Sequence, residues 1–212
     1  MLRKKFLLFL LLQLFVFTGK AQDSLAYGNG FRFRDGLYFT FQQFRSNHPL
    51  PKSKIVTNYD TTALDFFRKL VTAKSITYID SAGKQQEINP ARLWGFCENN
   101  AVYIRYNADF NRVVIVGSIC HFTSLYTTYM STGPTNAAGT MYGTPVENMQ
   151  QYMIDTQTGT VLDYNVANLM LLLQRDKELY AEYMALRKSK RKKLMFLYLR
   201  KYNERNPLYF RS

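Results

Sequence analysis

Histidine and cysteine are nearly absent from this chain, with two of each in 212 residues, and there is a single tryptophan. His48 and His121 lie far apart in sequence, so a histidine-based metal site lacks ligands, and no C-x-x-C pair makes up for them. Neither a G-x-S-x-G elbow nor an H-E-x-x-H helix is present, which removes two common hydrolase and zinc-protease signatures. The glycine-rich stretch Ser131–Asn148 lacks the Gly-Lys-Ser/Thr ending of a phosphate loop. So few cysteines also exclude a disulfide-dense miniature scaffold. After residue 21 no apolar run approaches the roughly 20 residues that a membrane-spanning helix needs. Acidic residues are scarce as well, 15 against 28 Lys and Arg. On these grounds no catalytic residue, metal or cofactor is expected.

Aromatics, by contrast, are plentiful: 16 Tyr and 16 Phe can build a sizeable core, so disorder is excluded. The chain opens with "MLRKK", then "FLLFLLLQLFVF" (Phe6–Phe17), then "TGKAQD". A basic start, an apolar run interrupted by Gln13 and a small residue before Gln22 make a secretory signal peptide over residues 1–21, cut after Ala21. No cysteine stands near that cut to take a lipid anchor. The remaining length suits one domain, or one domain with an appendage.

Charge divides the mature chain. Residues 165–212 hold twelve Lys and Arg against four Asp and Glu, a net of +8, whereas residues 22–164 net only +1. Periodicity changes at the same point. "DGLYFTFQQF" (Asp35–Phe44) alternates as a strand, and "SITYID-SAGK" (Ser75–Lys84) and "QYMIDTQTGTVLDY" (Gln151–Tyr164) read as strands entering glycine-containing hairpin turns. One helix interrupts them, "TTALDFFRKLV" (Thr61–Val71), with Ala63, Phe66, Phe67 and Leu70 on one face and a threonine cap. After Asn165 three helical segments follow, with starts at Asn165 or Asp163, at Asp176 and at Ser189, and Pro207 stops the last. Leu194, Met195, Tyr198, Leu199 and Tyr202 fall on one face of that last segment and carry its packing. The expected fold is α+β: an antiparallel β-rich body over 22–164, as a meander or partly closed sheet, and a basic helical segment of two or three helices over 165–212, packed on it or appended.

Both cysteines and His121 fall in "LWGFCENNAVYIRYNADFNRVVIVGSICHF" (Leu93–Phe122). It reads as a short strand, a turn at Glu98-Asn99-Asn100, a strand over Ala101–Tyr106, a loop, and a long central strand over Arg112–Phe122. A simple meander pairs Tyr106 with Arg112 and Ala101 with Gly117. Cys97 and Cys120 then lie two strands, about 10 Å, apart and on opposite faces, against the approximately 7 Å Cα limit of a disulfide. An oxidising compartment favours the Cys97–Cys120 bond, and a curled sheet or a bulge at Gly117-Ser118 would bring the pair together, so the disulfide stays open. Adjacent strand residues point to opposite faces, so Cys120 and His121 do not make a nucleophile–base pair. Buried cysteine filling space is the preferred reading; a cysteine-dependent hydrolase using Cys120 or Cys97 is the alternative.

The segments "DGLYFTFQQFRSNHP", "LWGFCENNAVYI", "GSICHF" and "KYNERNPLYF", behind a leader ending "KAQ", resemble an uncharacterised group of exported Bacteroidota proteins. The resemblance covers most of the mature chain and brings no activity, cofactor or binding residue with it. It implies an envelope location, most simply the periplasm, with outer-membrane association or release from the cell as alternatives. It also implies O-glycosylation at Ser24, Thr61 and Ser81, in the tripeptides Asp23-Ser24-Leu25, Asp60-Thr61-Thr62 and Asp80-Ser81-Ala82, which are similar to that phylum's Asp-Ser/Thr-small-apolar sites.

Two surfaces stand out. Ser131–Asn148 is a long stretch with one charge, Glu147, and reads as a loop. The basic run Arg187, Lys188, Lys190, Arg191, Lys192 and Lys193, extended by Arg200 and Lys201, is the candidate binding surface. Export argues against nucleic acid, so the expected partner is an anionic envelope component or another envelope protein, with peripheral membrane contact included. The function expected is non-enzymatic binding or structural support in the envelope.

Overall fold

A computed structural model describes residues 24–28, 30–131 and 143–211. Residues 1–21, read as a signal peptide, lie outside the described residues, and so does 132–142 of the stretch read as a loop. The elements in chain order are β1 (Ser24–Ala26), β2 (Gly36–Tyr38), α1 (Phe41–Arg45), β3 (Ile55–Val56), α2 (Phe66–Leu70), β4 (Ile76–Ile79), β5 (Gln85–Ile88), β6 (Gly95–Glu98), β7 (Ala101–Tyr106), β8 (Asp109–Ile115), β9 (Ile119–Ser131), β10 (Gly143–Asp155), β11 (Val161–Asp163), α3 (Val166–Leu173), α4 (Lys177–Ala185), α5 (Lys188–Lys193), α6 (Met195–Arg205) and β12 (Tyr209–Arg211). The fold is α+β, as the periodicity implies.

Seven antiparallel strands run in the order β11-β10-β9-β8-β7-β6-β2, beside a small β3-β4-β5 sheet and a β1-β12 pair. Two-residue turns explain the tight hairpins. Asn99 and Asn100 (φ 53° and 63°), then Asn107 and Ala108 (φ 50° and 70°), take the left-handed conformations that a type I′ turn needs at both central positions. Tyr106 therefore pairs with Asp109 and Tyr103 with Arg112, not Tyr106 with Arg112.

The long strand expected over Arg112–Phe122 is two strands. β8 ends at Ile115, the chain turns at Val116-Gly117-Ser118, and β9 returns antiparallel with Val113 opposite Phe122 and Ile115 opposite His121. Gly117 is required there, since a Cβ would lie 2.4 Å from the Asn203 side chain. That asparagine accepts from the Ile119 N–H and donates to the Ile119 carbonyl, both at 2.8 Å, and so ties the corner to α6.

Other boundaries shift for local reasons. The strand expected over Asp35–Phe44 stops at Tyr38, because Thr40 Oγ1 accepts from the Gln43 N–H and starts α1. The helix expected from Thr61 is only α2: Thr62 bonds Asp60 instead of capping, and Ala63 lies outside it. Gly143–Asn148 belong to β10 rather than to a loop. The last helical segment breaks at Leu194 into α5 and α6, and Ser189 caps neither.

Alternation along β9 and β10 separates two cores. Cys120, Phe122, Tyr152 and Ile154 face inward with Cys97, Val102, Tyr38, Phe33 and Phe210, so the sheet curls around an aromatic interior. Ile119 and Met153 face the other way, under Leu169, Leu173, Leu179, Tyr183, Tyr198 and Leu199 of the helices. A third cluster packs α2 and the small sheet against Leu37 and Phe96.

Candidate functional site

The basic run forms α5, a six-residue helix of sequence KSKRKK. Lys188 and Lys192 at i, i+4, and Lys190 and Lys193 at i, i+3, repel each other, so this helix does not stand on its own propensity. Arg191 holds it. Its Nε donates to the Leu186 carbonyl at 2.9 Å and its Nη2 to the Met184 carbonyl at 3.0 Å, while Tyr183 Oη donates back to the Arg191 carbonyl at 3.0 Å. Arg191 is therefore a cap for the end of α4, not a free cation. Lys201 is also engaged: it pairs with Glu182 at 2.6 Å and lies over the Tyr198 ring at 5.0 Å.

The other candidates are different. Arg187, Lys188, Lys190, Lys192, Lys193 and Arg200 are exposed, and none has an ion-pair partner among the described residues. Of the acids in the helical layer, Glu182 is taken by Lys201 and Asp176 and Glu178 by Arg205, each pair at 2.6–2.7 Å, whereas Glu204, four residues after Arg200, is exposed and unpaired among the described residues. Five unpaired cations thus lie in or just before α5, and Arg200 lies midway along α6, four residues from Glu204. Sequence reasoning could not tell Arg191 and Lys201 from their neighbours, because their partners are carbonyls and a glutamate on another helix.

The cysteines sit in the opposite core. Both are free and buried, and curling brings them into one cluster although they lie on β6 and β9, three strands apart in the sheet order. Opposite faces, as expected from a flat meander, is thus corrected. Burial, and secondarily the charge of Asp35, pushes the Cys97 thiol well above its ordinary range, and its Sγ donates to Asp35 Oδ1 at 3.6 Å. Burial pushes Cys120 up to about 12. His121 faces the helices, away from Cys120. Its Nε2 lies 3.0 Å from Gln151 Oε1, its ring packs on Tyr164 and Phe196, and burial lowers its pKa, so it is neutral near pH 7. Thiolate is the reactive form, so both thiols of the native protein should react with a neutral-pH thiol reagent far more slowly than those of the unfolded chain. Rapid native labelling of either cysteine, read by mass spectrometry, would refute this account.

Glu98, beside Cys97, has a structural task. Though 3% exposed, its Oε1 accepts from the Phe67 N–H at 2.7 Å and its Oε2 from Arg68 Nε at 2.8 Å, so it caps α2 from across the fold. Thr61 and Ser81 are exposed, each following an aspartate whose carboxylate accepts from the backbone N–H two residues on. Ser24 begins β1. Two clefts were not legible in the sequence, because each is assembled from distant segments. One of about 460 Å³ is lined by Arg68, Asn89, Tyr103, Arg105 and Phe110, and one of about 520 Å³ by Phe39, His48, Lys54, Tyr78 and Asp80. Among the described residues, no cluster of His, Cys, Asp and Glu is placed to hold a metal ion, and no helix is long and apolar enough to cross a membrane.

The molecule is thus an α+β protein with a curled antiparallel sheet and a helical layer that ends in an uncompensated basic surface. Residues 36–206 match the family described as "Family of unknown function (DUF6563)", and the chain belongs to that family. No curated protein and no solved structure matches it.

Proposed function

We propose that this is an exported envelope protein that binds an anionic partner through α5 and the exposed cations beside it, without catalysis. The observation that carries the reading is the group of six exposed cations lacking ion-pair partners, five of them in or just before α5, where Lys201 and Arg205 of the same helical layer are paired. The basic–apolar N-terminus and the likeness to exported Bacteroidota proteins support an envelope setting, most simply the periplasm. Anionic lipid headgroups, lipopolysaccharide phosphates and acidic protein faces share the chemistry that such a surface takes.

The test uses mature protein, residues 22–212, with Lys188, Lys190, Lys192 and Lys193 changed to Gln and Arg191 left in place. Each cation near an anionic lipid surface contributes about 1 kcal/mol, so four should cost about 4 kcal/mol, on the order of a thousandfold in affinity for anionic vesicles. Wild-type binding should also weaken steeply with salt. The melting temperature should hardly move, because all four side chains lie in water. A quadruple variant that binds vesicles, lipopolysaccharide and polyanions as well as wild type at low salt would overturn the reading.

A further inference from the structure

The hairpin of β9 and β10 runs beyond the rest of the sheet. β8 pairs with β9 only as far as Phe122, and β11 pairs with β10 only over Tyr152–Ile154. From Leu125 to Tyr129 on one strand and from Pro145 to Met149 on the other, the ribbon has two strands and, among the described residues, no third. Leu125, Tyr126, Thr127, Thr128 and Tyr129 are all exposed. An isolated two-stranded ribbon is marginal in water, and a long uncharged edge is a template for another strand.

The two edges differ. The β10 edge carries Pro145, which has no N–H, and the charge of Glu147, and both discourage strand addition. The β9 edge reads Leu-Tyr-Thr-Thr-Tyr, with neither proline nor charge. Which backbone groups it offers follows from the ladder. The Tyr164 N–H reaches the Gln151 carbonyl at 3.0 Å, so Gln151 turns its backbone groups away from β9, and it stands opposite Thr123. Pairs at this spacing, Met149–Leu125, Glu147–Thr127 and Pro145–Tyr129, are then the non-hydrogen-bonded kind, consistent with proline in the last of them. Leu125, Thr127 and Tyr129 therefore point N–H and C=O outward to the free edge.

We infer that this edge pairs with the same edge of a second copy of the chain, antiparallel about a two-fold axis at Thr127. In that register Leu125 meets the partner's Tyr129, Tyr126 meets the partner's Thr128, and Thr127 meets the partner's Thr127. Each is an apolar, aromatic–β-branched or Thr–Thr pair of the kind that stabilises sheets, and no charge faces a like charge. The outward backbone groups of each strand meet those of the other. Leu125 (49% exposed), Tyr126 (37%), Tyr129 (74%) and Met149 (73%) supply the apolar contact. With the strand edge they bury on the order of 500 Å² per copy, at the low end for a specific interface, so the dimer is weak and forms at roughly 10 µM. This inference is independent of the basic surface.

The test is sedimentation of the mature protein over a concentration series. Wild type should dimerise in the micromolar range, and Thr127→Pro and Thr127→Lys should each weaken the dimer at least tenfold. Neither should disturb the β9–β10 ladder, since the Thr127 N–H points away from it. Amides of Leu125, Thr127 and Tyr129 should gain hydrogen-exchange protection with concentration, while those of Tyr126 and Thr128 should not. Thr127→Cys should cross-link to a covalent dimer with diamide, and Glu147→Cys should not, the native cysteines being buried. A monomeric wild type at about ten times that concentration, undiminished dimer in both Thr127 variants, or cross-linking through Glu147→Cys instead would each overturn it.

Discussion

Asp155→Ala is expected to destabilise the protein by about 3–5 kcal/mol, and the loss should be visible only where the aspartate is ionised. Asp155 is 3% exposed and ends β10. Its Oδ1 and Oδ2 accept from Arg175 Nη1 at 2.8 Å and Nη2 at 2.7 Å, and also from the Gln157 N–H and Thr158 Oγ1, both at 3.0 Å. One carboxylate thus closes the β10–β11 turn and fastens it to the end of α3. Burial alone would raise its pKa, but Arg175 and the turn donors outweigh that and hold it below the ordinary carboxylate range. A lowered folded pKa means that the stabilisation is complete above the unfolded value, about 3.9, and is lost as pH falls through the lower folded value. At pH 7 the melting temperature should drop by roughly 10 °C in a chain of this size, and the gap from wild type should narrow as pH falls below the unfolded value. Thermal melts at pH 7 and in acid below that value decide it; a gap independent of pH would mean that the ion pair is not what stabilises the turn.

Sequence reading succeeded where one residue determines local geometry. Gly83 and Gly159, at φ 78° and 81°, close the two hairpins read from glycine turns, and Asn165 and Asp176 cap α3 and α4 through Asn168 N and Leu179 N. It failed where two patterns overlap in a short window. Leu37, Phe39 and Phe41 alternate as a strand should, yet Thr40-x-x-Gln43 is also a helix-start signature; Gln43 Oε1 accepts from the Phe39 N–H, and that reciprocal pair wins. Gly117-Ser118 inside an apolar run was a legible bend, but its depth depends on Asn203, more than 80 residues later. The distinction between Arg191, which is bound, and Lys192, which is free, depends on carbonyls that no periodicity exposes.

The helices at the end of the chain are the second place where a large effect is expected. Leu199 is fully buried, and its cluster joins α3, α4 and α6 to Ile119 and Met153 of the sheet. Beyond α6 the chain returns to the other core, where Leu208 and Phe210 are buried and β12 pairs with β1. Ser118 Oγ also donates to the Asn206 carbonyl at 2.6 Å. A charge at position 199 therefore strikes a segment sewn into both faces of the sheet. Leu199→Asp, which buries a carboxylate with no partner, should cost about 5 kcal/mol or more, whereas Lys192→Gln should stay within about 0.5 kcal/mol of wild type. Trp94, the one tryptophan, reports from the far core, where it stacks on Phe44 at 4.9 Å. Its fluorescence should be lost together with the helical circular dichroism, in a single transition, as expected when helices and sheet unfold as one unit. A Leu199→Asp protein that loses helix signal but keeps a native Trp94 environment would instead make residues 165–212 a separately folding appendage. The basic surface would then be carried on a detachable element rather than on the wall of the sheet.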